Sequence, residues 1–175
     1  MPLRNSSRVA RTVSSSVSAK RRLVSGHLFP YREEGNPPIL RPSLDVRLAF
    51  GPHGDWTCRA LVDTGAPVTF FDRGVADALN VKIRPAGAEL GRVTILGGTW
   101  QVQYEDVDLS VPNNDGLSWT ARVAFVLDQR LQMPFQGVLG SRGFLDKFAV
   151  LFNQYYDYFI VDIPDVADEL HRPES

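Results

Sequence analysis

Asp63-Thr64-Gly65 sets a carboxylate, a hydroxyl and a glycine side by side, after the apolar run Ala60-Leu61-Val62 and before the small Ala66. A carboxylate delivered by a buried strand is costly unless it is paired or used. Two carboxylates held close cannot both ionise, so a pair shares one proton, with one pKa raised and the other lowered. Such a pair can activate a single water. The ionised oxygen takes a proton from it, and the protonated carboxyl donates to the carbonyl under attack. No nucleophilic Ser or Cys is required. A glycine beside the carboxylate lets backbone N–H groups approach and lowers the cost of the charge. The triplet occurs once, so a second Asp63 must come from another copy of the chain. Asp and Gly are also ordinary turn formers, but here apolar segments flank them on both sides, with Val68-Thr69-Phe70-Phe71 following.

The elements that would position Asp63 are mostly strands. Leu44 to Phe50 alternates apolar and polar residues, Gly51 to Asp55 is a turn cluster, and Trp56 to Val62 returns as a second strand. Val68 to Phe71 reads as a short buried strand, and Arg73 to Leu79 as one or two helical turns ending near Asn80. Val93 to Leu96 and Thr99 to Tyr104 flank Gly97-Gly98, a strong hairpin signal. Further strands are expected at Val107 to Val111, Trp119 to Leu127, Val150 to Phe152 and Tyr158 to Ile163, with a short apolar run between glycines at Gly137 to Gly140 and a short helix at Phe144 to Phe148. His27 to Pro42 reads as irregular chain anchored by Phe29, Tyr31 and Ile39. Short strands at close spacing predict an all-β closed barrel with one or two short helices.

Three ordered elements resemble the retroviral-type (retropepsin-like) aspartic peptidases, and their single-domain bacterial members in particular. These are Leu61-Val62-Asp63-Thr64-Gly65-Ala66, the Gly-Gly hairpin further on, and Val138-Leu139-Gly140 followed by Phe144-Leu145. The resemblance covers roughly residues 27 to 163 and implies a barrel of the acid-protease type whose active site is completed by homodimerisation. It implies an aspartic endopeptidase with Asp63, Thr64 and Gly65 at the catalytic loop, the Thr64 hydroxyl bonding across to the partner loop. Ile95 to Trp100 would be a flap closing over substrate. Ala66, Ile95, Leu96, Gly97, Gly98, Trp100 and Val138 would contact an extended peptide, with Val68 also facing the cleft. Val138-Leu139-Gly140 would cross behind the catalytic loop as support. Arg142 lies one residue out of step with the viral pattern and reads as a solvated surface arginine. Asp72 and Asp77 read as structural, Asp72 either pairing with a basic residue or capping the following helix. Tyr155-Tyr156-Asp157-Tyr158-Phe159 reads as core and dimer packing.

Composition narrows the remaining classes. Hydrophobic residues make up 43% of the 175, enough for a core, and the formal net charge of −1 gives no sign of a polyanion partner. The charge is uneven. Residues 1–32 hold seven basic side chains and no acidic one, which leaves 12 of the 19 basic residues against all 20 acidic ones, a net of −8 for the rest. Residues 1–26 are therefore expected to form a disordered Ser/Arg-rich arm, 27–163 the peptidase domain, and 164–175 a flexible acidic tail. The arm lacks the apolar stretch of a secretory signal but overlaps in composition with organelle transit peptides, so the expected location is the cytoplasm or, by import, an organelle. One cysteine, Cys58, allows no internal disulfide. The histidines lack metal-ligand spacing, and neither metal nor cofactor is expected. No membrane span and no nucleic-acid partner are expected. The competing reading is a non-catalytic barrel of the same type that binds peptides or dimerises, with a basic-arm adaptor as a weaker third. Cleavage separates the first reading from both.

Overall fold

Apolar residues run nearly unbroken through the central strands because both faces of those strands are buried, each against a different core. The structure is a computed structural model and describes residues 26–85, 90–114, 116–131 and 133–162. The expected arm (apart from Gly26) and the expected acidic tail lie outside these residues.

The described strands are β1 (His27–Pro30), β2 (Arg32–Glu34), β3 (Ile39–Arg41), β4 (Ser43–Ala49), β5 (Asp55–Val62), β6 (Phe70–Phe71), β7 (Gly91–Ile95), β8 (Gly98–Ser110), β9 (Ser118–Val126), β10 (Gly137–Leu139), β11 (Ala149–Asn153) and β12 (Tyr158–Asp162). A six-residue helix, α1 (Arg73–Ala78), follows β6. Seven strands form one sheet in the order β4-β5-β10-β6-β9-β8-β7, and β4 also pairs with β8 through Arg47–Ala49. The ladder thereby returns on itself, leaving β7 as a projecting partner of β8. A second sheet runs β1-β12-β11, and β2 and β3 make a separate hairpin.

The period of two sorts side chains between the cores. Ala60, Val62, Phe71, Val123, Phe125 and Leu139 belong to the larger core, which also takes Leu44, Val46, Leu48 and the inner face of the second sheet. Leu61, Phe70, Ala124, Val126 and Val138, their neighbours in sequence, belong to a smaller core with Ala66, Val93, Ile95 and Val102. Continuing that alternation past Leu61 and Val62 turns Asp63 toward the smaller core.

At the centre, β10 pairs parallel with β5 (Val138 opposite Leu61) and antiparallel with β6 (Val138 opposite Phe70). Glycines at its ends make this fit. A Cβ on Gly137 would strike the Phe71 ring. One on Gly140 would strike the Val68 carbonyl and lie 2.8 Å from the Ala66 carbonyl oxygen.

Several expectations are corrected. His27 to Pro42 is not irregular: β1 pairs with β12, and Phe29 and Tyr31 pack on Phe159, but Ile39 is exposed. Thr99–Tyr104 and Val107–Val111 are one 13-residue strand. The intervening acids do not break it, because Glu105 meets Arg84 and exposed Asp106 stands opposite Arg122. Phe144 to Phe148 is a run of turns rather than a helix. Gly143 has φ +95, and its N–H donates to Asp146 Oδ1, which ties the chain into a turn. The Phe144 and Phe148 rings pack against Trp119. Of the tyrosine cluster, only Phe159 is core. Tyr155 and Tyr156 stand 84% and 69% exposed at the β11–β12 tip, in edge-to-face contact with each other.

Asp72 caps α1, its Oδ1 accepting the Val75 N–H at 3.0 Å. Burial raises its carboxyl above the usual range, opposed by the Val75 and Gly74 N–H groups and assisted by the charge of Asp77. A folded-state value raised above the unfolded 3.8 means that Asp72 stabilises most below 3.8 and loses that contribution as pH rises through its folded value. Asn also caps helices but does not titrate. Asp72→Asn should therefore gain stability relative to wild type as pH rises across that window, measured by denaturant unfolding at a series of pH values. A pH-independent difference would contradict this. Gly140→Ala should lose about 1–3 kcal/mol through overpacking, seen as a lower urea midpoint at unchanged slope.

Candidate functional site

Asp63 leaves β5 still attached to the ladder, its N–H donating to the Leu139 carbonyl at 3.1 Å. The chain then turns at once. Ala66 N–H donates to the Asp63 carbonyl, and Gly65 N–H donates to Asp63 Oδ1 at 2.8 Å. This second bond fixes the carboxylate with a backbone donor, the arrangement that glycine permits.

The segment after β10 holds the loop from behind. Ser141 N–H donates to the Ala66 carbonyl at 2.8 Å, Arg142 N–H to Pro67 at 3.2 Å, and Thr69 N–H to the Arg142 carbonyl at 2.8 Å. The fully buried Thr69 adds a side-chain contact, its Oγ1 accepting the Gly140 N–H at 3.1 Å. Thr69 was not singled out in the sequence. A lone threonine inside the buried run Val68 to Phe71 is the only signal it leaves.

A cavity of about 160 Å³ opens beside Asp63, lined by Ala66, Val68, Phe70, Val93, Ile95, Leu96 and Val138 together with Met133 and Phe135. Of the residues expected to contact substrate, Ala66, Ile95, Leu96 and Val138 meet here. Gly97, Gly98 and Trp100 do not line it. Met133 and Phe135 escaped the sequence reading because their loop carries no strand or motif signal.

The β7–β8 hairpin covers one side of this cavity. Ile95 pairs with Gly98, so the two-residue tip is Leu96-Gly97 and not Gly97-Gly98. Both tip residues have positive φ, 50° and 77°, the type I′ turn that suits a tight hairpin. Leu96 pays roughly 1–2 kcal/mol for this conformation, yet its side chain is 79% exposed at the cavity rim. Gly98 has a different purpose. A Cβ there would lie 3.0 Å from Trp100 Nε1, and Trp100 uses that nitrogen to donate to the Ile95 carbonyl at 3.1 Å. Trp100 is thus a brace across the hairpin.

Thr64 is exposed, and its hydroxyl has no hydrogen-bond partner among the described residues. Arg142 is exposed, as expected, and forms no ion pair with a described residue. Asp77 pairs with Arg73. Cys58 is buried, and burial, with the charges of Asp72 and Asp45, pushes its thiol up to about 12. It is therefore a poor thiolate nucleophile. Among the described residues no group of three or more His, Cys, Asp or Glu could hold a metal ion, and no helix is long and apolar enough to cross a membrane.

No protein-family model matches the chain, and no curated protein matches it. Many solved structures are similar, two proteases among them. EIAV protease complexed with the inhibitor HBY-793 matches with a TM-score of 0.41 and 19% identity, over 58% of this chain and 82% of that one. A retropepsin-like aspartic protease from Rickettsia conorii matches with a TM-score of 0.50 and 12% identity, over 77% of this chain and 98% of that one. The second likeness, together with the ring of strands and the β10 crossing behind the Asp63 loop, gives the chain a retropepsin-like all-β fold.

Proposed function

We propose that the protein is an aspartic endopeptidase acting as a homodimer, with Asp63 of each copy facing the other across a two-fold axis. The observation that carries this reading is the Asp63 carboxylate, held at 2.8 Å by the Gly65 N–H at the edge of an apolar cavity beside a hairpin. One copy supplies one such carboxylate, and the chemistry needs two that share a proton.

In the dimer the ionised carboxylate takes a proton from a bound water. The oxygen of that water attacks the scissile carbonyl carbon while the protonated carboxyl donates to the carbonyl oxygen. The resulting gem-diol collapses as the leaving nitrogen is protonated and the C–N bond breaks. All atoms come from peptide and water, and no cofactor takes part. Gly65 N–H stabilises the carboxylate throughout. In this reading the Thr64 hydroxyl, which has no partner among the described residues, bonds to the second copy's loop, and small Ala66 allows the substrate main chain to pass close. Ile95 and Leu96 cover the peptide from the hairpin side, while Gly97, Gly98 and Trp100 serve the hairpin's shape.

A mixed peptide library incubated between mildly acid and neutral pH should show cuts, read by mass spectrometry, with apolar residues flanking the cleaved bond. Asp63→Ala should remove every cut, and wild-type activity per chain should rise with protein concentration while the dimer forms. Absence of cuts from folded, dimeric wild type would overturn the proposal, and so would cuts that persist in the variant.

A further inference from the structure

We infer that the groove beyond Val68 is a second specificity site that takes an acidic side chain of the bound peptide; this rests on the reading that the Asp63 cavity binds peptide. The groove encloses about 580 Å³ and adjoins the cavity beside Asp63 at Val68, which lines both. Arg122, Arg142 and Lys147 converge on it from β9 and from the turns after β10. None of the three is in an ion pair with a described residue. Arg122 instead stands over the Tyr104 ring, 5.9 Å from its centroid.

The local acids do not neutralise them. Asp146, the one carboxylate lining the groove, accepts the Gly143 N–H at 2.9 Å. Asp108 accepts the Thr120 hydroxyl at 2.6 Å, and Asp106, opposite Arg122 on β8, lies beyond ion-pair distance. Three unpaired cations in one groove stand out because the chain after residue 32 is acidic.

Val68 also supplies a place for a peptide main chain. Its bridge to Arg142 is parallel, and the bonds run from Arg142 N–H to the Pro67 carbonyl and from Thr69 N–H to the Arg142 carbonyl. The N–H of Val68 therefore points away from Arg142, and no described residue takes it, while the Val68 carbonyl lies against Gly140. A carbonyl of an added strand can accept that free N–H. Successive side chains of such a strand face opposite sides, so one enters the apolar cavity and another, further along, meets the cations. Exposed cations give a modest and salt-sensitive preference.

The test uses the full chain carrying Asp63→Asn, which binds without turnover. Peptides with a central Leu-Phe carry a single Glu, Gln or Lys at each position two to five residues out, and affinities are read by titration calorimetry. In at least one register Glu should bind about fivefold tighter than Gln, with Lys weakest. High salt should remove the difference. Adding Arg122→Gln, Arg142→Gln and Lys147→Gln should abolish the Glu advantage and leave the Gln peptide's affinity and the melting temperature unchanged. Equal affinities in every register, a Glu advantage that survives these substitutions, or no binding at all would overturn the inference. A Glu preference without cleavage by wild type would overturn the peptidase reading alone, and cleavage without a Glu preference would overturn this inference alone.

Discussion

The three-residue strand β10 is bonded on both edges, parallel to β5 and antiparallel to β6, and the position of Asp63 follows from it. A strand in that setting has no free main-chain polar groups to lose, and its two neighbours cannot slip by one residue without exchanging the two cores. The same chain then continues behind the Asp63 loop, where Thr69, Ala66 and Pro67 are tied to Gly140, Ser141 and Arg142. Gly137 and Gly140 are the condition for this crossing, since a side chain at either would meet a ring or a carbonyl. A carboxylate mounted on such a scaffold keeps its geometry without help from a loop's own stability.

Rigidity at the back contrasts with economy at the front. The hairpin over the cavity has a two-residue tip, one strained and exposed leucine, and a cross-strand indole bond as its internal brace. Leu96 holds a sparsely populated conformation with its side chain in solvent, so packing of that side chain does not offset the strain. Trp100 ties the two strands of the short hairpin together.

Legibility in the sequence followed the range of the interactions. The turn at Asp63 to Gly65 and α1 with its Asp72 cap depend on neighbours within a few residues, and each left a local pattern, while the Gly137–Gly140 crossing depends on β5 and β6 and was legible through its glycines and the family resemblance. Strand β1 left no such pattern, because His27 to Pro30 owe their strand character to Tyr158–Val161 at the far end of the chain. The tip of the hairpin was misread by one residue because two adjacent glycines look alike in sequence, whereas one serves φ and the other makes room for Trp100. Met133 and Phe135 come from a separate segment that only the closed ladder brings beside Asp63. Tyr155 and Tyr156 were assigned to core and dimer packing on the usual burial of aromatics, and within one chain the hairpin tip leaves them out of the core.

The central claim is that one site contains two copies of Asp63. Mixing wild-type chains with Asp63→Asn chains at fixed total concentration, allowing exchange, and measuring peptide cleavage tests it directly. A shared site requires activity to fall as the square of the wild-type fraction, since only dimers with two intact carboxylates turn over. A linear fall would mean that each chain carries a complete site, and would contradict the account.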